Sequence, residues 1–251
     1  MPELRLHPRL LGPLRPLLAT CVVAAFAVMI AAYGCGGRPV APTSTPAAPS
    51  ITADEVVRRS AESMRQLQTF RFRLSHPSGS TLLPGGISLD DAEGAVVAPD
   101  RLQVFADASS GRSFVKLSVV AIGDDAWVTN PLTGSWVKAP PGGSPFSTFD
   151  PAGLVGGILA GVTEARFSQG ASPSGGAFRI LGRAGASILE PLVGEVDRGR
   201  TVEFELLIDA VSFRLSRAEI RGAVSTGEDP ATVRVVDLSD FDAGIEIQPP
   251  I

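Results

Sequence analysis

The sequence is poor in the residues that build metal and catalytic sites. Its 251 residues include only two histidines and two cysteines, and one of each, His7 and Cys21, precedes residue 35. A single thiol, Cys35, and a single imidazole, His76, remain after that point. One cysteine cannot form an intramolecular disulfide, and this pair cannot supply the ligands of a zinc site. We therefore expect no transition-metal site, no bound cofactor and no Cys/His or Ser/His catalytic pair.

Excess positive charge is missing as well. The formal net charge of the chain is −4, and three arginines and one glutamate lie before residue 35, so the remainder carries −6. Binding to nucleic acid or to anionic lipid through a polybasic patch requires a basic surface. The composition therefore argues against a nucleic-acid partner and against an electrostatic membrane anchor.

Carboxylates are frequent, but their spacing is not that of a known site. Asp237, Asp240 and Asp242 lack the glycine and the distal glutamate of a calcium loop. Glu203 and Glu205 alternate with apolar residues, which is typical of the exterior of a sheet. Three acidic pairs fall in predicted turns, where we interpret them as solvated: Asp90-Asp91, Asp124-Asp125 and Glu228-Asp229. We therefore expect a protein that is not an enzyme.

One long apolar run is present near the start of the chain. No charged residue interrupts residues 17–33, three arginines precede them, and Gly34 and Cys35 follow. A basic lead, an apolar core and a small-residue end indicate a secretory signal peptide, here residues 1–34. Two alternatives remain open. The 17 uncharged residues are near the lower limit for a spanning helix, so the segment could be an uncleaved anchor, or it could be cleaved without further modification.

Cys35 is predicted to be the attachment point of a lipid. Residues 32–35, Ala-Tyr-Gly-Cys, resemble a bacterial lipobox, in which the cysteine is acylated and becomes the mature N-terminus. Gly34 fits this pattern, whereas Tyr33 stands where small residues are usual. Residues 36–50 are rich in proline, serine and alanine and resemble a flexible tether. We expect residues 35–50 to connect the membrane to an extracytoplasmic domain over residues 51–251.

The pattern from residue 51 predicts one good helix followed by many short strands. Residues 51–67 carry apolar side chains on one face, and Thr52 with Glu55 forms a capping box. Two weaker helices are predicted, one starting at Asp150 and Pro151 and weakened by its glycines, the other at residues 187–193. Strands are predicted at residues 69–75, 92–98, 101–108, 114–122, 126–130, 135–138, 162–168, 177–182, 201–209, 211–224, 232–238 and 244–247.

These elements predict an α+β, mainly β fold. Because strands and helices do not alternate, a parallel sheet is disfavoured, and a strongly curved antiparallel sheet with helices covering one face is expected. The alternation of apolar residues changes parity near Ser216 or Arg217, which predicts a β-bulge. Trp127 and Trp136 lie in neighbouring predicted strands and are expected to pack across them. Residues 76–79 are predicted to begin an irregular loop.

Five segments, taken in order, resemble the LppX/LprG-type bacterial lipoproteins. They are SMRQLQTFRFRL (63–74), GAVVAPDRLQV (94–104), VAIGDDAWVTNPLTGSWVKAP (120–140), FELLIDAVSFRLSRAEI (204–220) and LSDFDAGIEIQPP (238–250). Each motif is short, but together they extend over nearly all of residues 51–250.

The resemblance implies a half-open antiparallel barrel similar to that of the carriers LolA and LolB, with an apolar cavity between sheet and helices. It also implies binding and carriage or presentation of a lipid or glycolipid, with a possible transport partner in the cell envelope. The residues expected to line the cavity are Met64, Leu67, Leu154, Ile158, Phe204 and Leu206. The alternative is a structural or sensory module of the envelope, whose barrel is filled by its own side chains.

Overall fold

The computed structural model describes residues 51–140, 151–168 and 173–250, with only the backbone described for residues 151 and 152. The predicted signal peptide, Cys35, the tether and the predicted cap Asp150 lie outside these residues. The helices are α1 (Ala53–Arg65), α2 (Pro151–Ala160) and α3 (Glu190–Val193), and a 3₁₀ turn covers Ala186–Leu189. The strands are β1 (Thr69–Ser78), β2 (Thr81–Leu83), β3 (Ile87–Val97), β4 (Arg101–Ser110), β5 (Ser113–Ile122), β6 (Asp125–Thr129), β7 (Trp136–Lys138), β8 (Thr163–Phe167), β9 (Ala177–Gly185), β10 (Thr201–Asp209), β11 (Leu215–Arg221) and β12 (Val233–Ser239).

All twelve strands belong to one antiparallel sheet. Their order is β7-β6-β5-β4-β3-β1-β12-β11-β10-β9-β8, and β2 pairs with β3 beside this path. Strands β7 and β8 form the two edges of the described sheet, so the curved sheet stays open. The expectation of a mainly β fold with a half-open antiparallel barrel is confirmed.

Helix α1 lies against one face of the sheet, which we call the inner face. The Thr52 hydroxyl accepts a hydrogen bond from the Glu55 amide at 3.2 Å and so caps the helix, as the sequence predicted. Val56, Ala61 and Met64 of its buried face join the main core. The inner-face residues of the central strands belong to the same core: Phe70, Val96, Leu102, Phe204, Ile220 and Leu238.

The outer face carries a second, smaller core and many ion pairs. Trp127 belongs to this core, and Trp136 packs against it. Residues 244–247 were predicted to be a strand, which is wrong, because they lie outside the ladders and pack Ile245 and Ile247 into this small core. The Arg101 guanidinium donates to the Ile247 carbonyl at 3.0 Å and holds the segment in place.

Three further predictions need correction. The strand predicted over residues 211–224 is shorter, because β11 covers only Leu215–Arg221. Strand β1 continues through residues 76–78, so the predicted loop starts too early. Asp90 and Asp91 lie inside β3, not in a turn. The bulge is confirmed, since Leu207 pairs with Arg217 and Ile208 pairs with Leu215, which leaves Ser216 as the extra residue.

Candidate functional site

Four of the six predicted cavity residues lie in one tightly packed cluster. The exposed fractions are 0 % for Met64, 2 % for Leu67, 2 % for Phe204 and 1 % for Leu206. Met64 belongs to α1, Leu67 follows it, and the other two belong to β10. Together they join the helix to the sheet at the centre of the main core.

The other two predicted residues lie on α2 and are only half-buried. Ile158 packs against the edge of the main core, and Leu154 lies one turn earlier. No residue of this ten-residue helix is charged. A helix that is apolar on every side and not fully buried is well suited to cover a hydrophobic surface.

Glycines in α2 permit a close approach to α1. A Cβ atom at Gly156 would lie 2.5 Å from the Arg65 Cγ atom and 2.7 Å from the Ala61 carbonyl oxygen. The Arg65 guanidinium also donates to the Gly156 carbonyl at 3.1 Å. Gly156 therefore serves the packing of the two helices, a role that the sequence did not predict.

Beyond α1, over β1 and β3–β6, the side chains of the inner face are less deeply buried. The pairing places Phe72, Gly94, Val104, Val119 and Val128 in one row across five strands. The next row contains Leu74, Ala92, Ala106 and Leu117. The large side chains of these rows are only half-buried, and we call them the inner strip: Phe72, Leu74, Val104, Leu117, Val119 and Val128.

Small residues lie among the large side chains of the inner strip. Gly94 has the Phe72 ring directly above it, since a Cβ atom there would lie 2.7 Å from Cζ. Ala92 and Ala106 follow in the next row. The inner strip is therefore an apolar surface that extends over two neighbouring rows of the sheet. The sequence predicts strands at these positions but does not reveal the strip, because half-burial depends on where the helices lie.

Next to the inner strip, the inner face ends in a buried polar cluster. Arg234 and Glu228 form an ion pair at 2.6 Å, and their side chains are 4 % and 1 % exposed. Glu228 also accepts hydrogen bonds from the amides of Val224, at 2.7 Å, and Leu82, at 2.9 Å. Burial acts to raise the pKa of Glu228, but Arg234 and the two amides outweigh it and lower that pKa. The prediction of a solvated turn at Glu228 is wrong.

Two more contacts extend this cluster to β1 and β2. The Arg234 Nε atom donates to the Thr81 hydroxyl at 2.7 Å, and Nη1 donates to the Gly222 carbonyl at 2.9 Å. The His76 Nε2 atom lies 2.8 Å from the same Thr81 hydroxyl. Because every Arg234 nitrogen has a partner, the cluster closes this end of the inner face and leaves no free guanidinium group for a ligand.

The carboxylates at positions 203, 205, 237, 240 and 242 have structural partners. Arg183 donates to Glu203 at 3.0 Å, and Arg179 and Arg221 bind Glu205 on the outer face. Asp237 pairs with Arg217, Asp240 with Arg71, and Asp242 with Arg214. Within residues 51–140, 151–168 and 173–250, no three His, Cys, Asp or Glu side chains are grouped as metal ligands.

The described surface has two open clefts of about 300 Å³ each. One is formed by β1 and β3–β5 and includes Arg73, Phe105 and Lys116. The other lies between the β2–β3 turn and residues 195–197 and 225–226. Neither cleft has a lining residue from α1 or α2. Both are at the lower end of the volumes of small-molecule sites.

No helix in the described part of the chain combines the length and the hydropathy needed to cross a membrane.

Comparison with solved structures identifies the fold. LprF from Mycobacterium bovis aligns with a TM-score of 0.59 and 16 % identity, covering 79 % of this chain and 96 % of that one. The lipoprotein LppX from Mycobacterium tuberculosis aligns with a TM-score of 0.54 and 18 % identity, covering 78 % of this chain and 98 % of that one. A LolA-superfamily protein from Nitrosomonas europaea aligns over 79 % of this chain at 13 % identity, but its TM-score of 0.28 supports no argument.

No protein-family model and no curated protein sequence matches the chain. At the identities found, structural likeness is a statement about the fold alone. The chain has the fold of LprF and LppX, and its resemblance to the LppX/LprG-type lipoproteins is confirmed at the level of that fold.

Proposed function

We propose that this protein binds a lipid or glycolipid on the inner strip and carries or presents it outside the cytoplasm. The observation that carries the proposal is the inner strip itself: six half-buried apolar side chains lie on the face that α1 leaves uncovered. Binding of this kind needs no catalytic group, because apolar walls hold the ligand and the available space selects it.

The driving force would come from removing acyl methylenes from water. Each buried methylene contributes about 0.8 kcal/mol, so ten of them contribute about 8 kcal/mol. Alanines at positions 92 and 106 lie beside the inner strip, where their short side chains would leave room for such a chain. In this proposal Leu154 and Ile158 of the charge-free helix α2, which packs on α1, would also contact the ligand.

The proposal includes export and anchoring. Residues 1–34 would direct secretion, acylated Cys35 would hold the protein at the cell membrane, and residues 36–50 would connect it to the domain. A single acyl chain anchors a protein only marginally, so several chains would be needed for stable attachment. Replacement of Cys35 by serine should then move the protein from the membrane fraction to the soluble fraction. Retention in the membrane would favour an uncleaved anchor at residues 17–33.

Native mass spectrometry after mild extraction tests the binding proposal. We expect a co-purifying mass in the lipid range on the wild-type protein. The Val119→Trp variant, which fills the inner strip, should lose this mass. The Ser118→Trp variant is the matched control, since the neighbouring residue of β5 faces the outer side. Absence of lipid from the wild type, or equal lipid on both variants, would contradict the proposal.

A second function is favoured by a separate observation. Met64, Leu67, Phe204 and Leu206 are packed as a solid core, which is the arrangement expected if side chains fill the barrel. The protein would then be a structural or sensory module of the envelope that uses an exposed surface to bind its partner. A wild-type protein free of lipid, in the experiment above, would favour this function.

A further inference from the structure

The buried polar cluster contains the only histidine of residues 51–251, and its hydrogen bonds run in one direction. The Asp90 carbonyl can only accept, so the His76 Nδ1 atom, 2.5 Å away, must donate to it. In a neutral ring, Nε2 then carries a lone pair and accepts from the Thr81 hydroxyl. That hydroxyl in turn accepts from the Arg234 Nε atom. Every donor between Arg234 and the Asp90 carbonyl is thereby assigned.

A proton on the second ring nitrogen does not fit this arrangement. It would place the Nε2–H group against the Thr81 O–H group, so the hydroxyl hydrogen would have to turn to another acceptor. It would also place a second positive charge beside the Arg234 guanidinium, with the single Glu228 carboxylate as the buried counterion. The neutral form of His76 is thus the form that fits the hydrogen bonds of the cluster.

The charged groups that face His76 come from three parts of the structure. Arg234 lies on β12, Glu228 on the segment before it, and Asp90 and Asp91 on β3. Burial is the main cause that lowers the pKa of His76, and Arg234 lowers it further. The Asp90 carbonyl and the charges of Asp91 and Asp90 act in the opposite direction but do not offset the lowering.

The same groups hold strand β2 in place. Thr81 is buried between His76 and Arg234, and the Leu82 amide donates to Glu228. Strand β2 also has three ladder pairs with β3 over residues 81–83, and Leu83 packs against the main core. The β2–β3 turn beyond it borders the second of the two clefts. Loss of the contacts at Thr81 and Leu82 would therefore weaken the attachment of residues 79–86, while β1 keeps its ladder pairs with β3 and β12.

We propose that His76, Thr81, Arg234 and Glu228 form an acid-sensitive latch, which holds β2 at the end of the inner face at neutral pH and releases it when His76 takes up a proton. The direction of the pH effect follows from the linkage between proton binding and folding stability. A histidine whose pKa is lower in the folded state stabilises that state above its ordinary value of 6.5, and this stabilisation is lost as the pH falls below 6.5 towards the lower folded value. The latch does not depend on what the inner strip binds.

Hydrogen exchange of the full-length protein, followed by mass spectrometry at pH 7.5 and pH 5.5, tests the latch. After correction for the pH dependence of chemical exchange, we expect protection of residues 79–86 to fall at pH 5.5. Uptake of one proton limits the fall to about tenfold per pH unit. Strand β10, at residues 201–209, is the internal reference and should not change. Unchanged protection of residues 79–86 in the wild type would overturn the proposal.

The His76→Asn variant keeps a donor for the Asp90 carbonyl but cannot be protonated. Its exchange at residues 79–86 should be the same at both pH values, and a fall equal to that of the wild type would overturn the proposal. If this variant fails to fold, NMR titration of His76 in the wild-type protein measures the pKa of the ring and tests the latch instead. A pKa below 6.5 supports the latch, and a pKa at or above 6.5 overturns it.

Discussion

The buried ion pair between Arg234 and Glu228 makes a quantitative prediction for the Glu228→Gln variant. This change keeps the shape of the side chain but removes its charge, so the guanidinium of Arg234, 4 % exposed, loses its counterion. It also places an amide group where a carboxylate accepted from two backbone amides. Removing one partner of a buried pair costs about 3–5 kcal/mol. We therefore expect the free energy of unfolding to fall by about that amount.

Urea unfolding followed by circular dichroism measures this change, with the slope m unchanged if the two-state mechanism holds. Glu203→Gln is the matched control, because Glu203 pairs with Arg183 at 3.0 Å but both side chains are at least half-exposed. Exposed pairs contribute about 0–1 kcal/mol. A loss for Glu228→Gln within about 1 kcal/mol of the control would refute the reasoning that burial makes this pair indispensable.

Three further predictions concern packing and charge. Gly156→Ala should destabilise the protein by about 1–3 kcal/mol, because the added methyl group overpacks against α1. Gly157 has open space around it, so Gly157→Ala should stabilise the protein by about 0.5–1 kcal/mol. Thermal unfolding compares the two variants, and equal effects would contradict the close approach of α2 to α1. Met64→Ala should cost about 2–5 kcal/mol in urea unfolding, and a loss below 1 kcal/mol would mean that the site is not tightly packed. Hydrogen bonding to Arg179 lowers the pKa of Glu205 from 4.5. The stability of the protein should therefore fall as the pH drops below 4.5, and it should fall less in the Glu205→Gln variant. Identical acid unfolding curves for the two proteins would contradict a stabilising role of the Glu205 carboxylate.

Much of the fold was predictable from the sequence, because its signals are local. Helix α1 was recognised from its cap at Thr52 and its apolar face, and both are confirmed. The change of parity near Ser216 located the bulge, since a single extra residue reverses the alternation of a strand. The resemblance of ordered short motifs also indicated the correct fold.

The errors occurred where long-range contacts decide the structure. Glu228 follows a serine, a threonine and a glycine, a local pattern typical of a solvated turn, yet it pairs with Arg234 inside the protein. Asp90 lies in a strand, where its backbone carbonyl accepts a hydrogen bond from His76 and its neighbours pair with β4. Residues 244–247 alternate like a strand, but their isoleucines fill an apolar surface on the outer face without joining a ladder.

The candidate site was predictable only in part. Apolar periodicity identified Met64 and Phe204 as inward-facing, but it could not distinguish a packed core from a cavity wall, because both present the same residues. The inner strip depends on which strands α1 leaves uncovered, and this arrangement is set by tertiary packing. Val104 and Val119 are candidate ligand contacts because the pairing of β4 with β5 places them side by side on the inner face.

Photo-crosslinking with a lipid that carries a diazirine on its acyl chain tests most directly whether the inner strip binds lipid. After irradiation and digestion, we expect label on the inner-facing residues of β4 and β5, including Val104, Leu117 and Val119. The outer-facing neighbours Phe105 and Ser118 should remain unlabelled, and excess unmodified lipid should abolish the signal. Label confined to the outer face, or no label that unmodified lipid can compete away, would contradict lipid binding on the inner face.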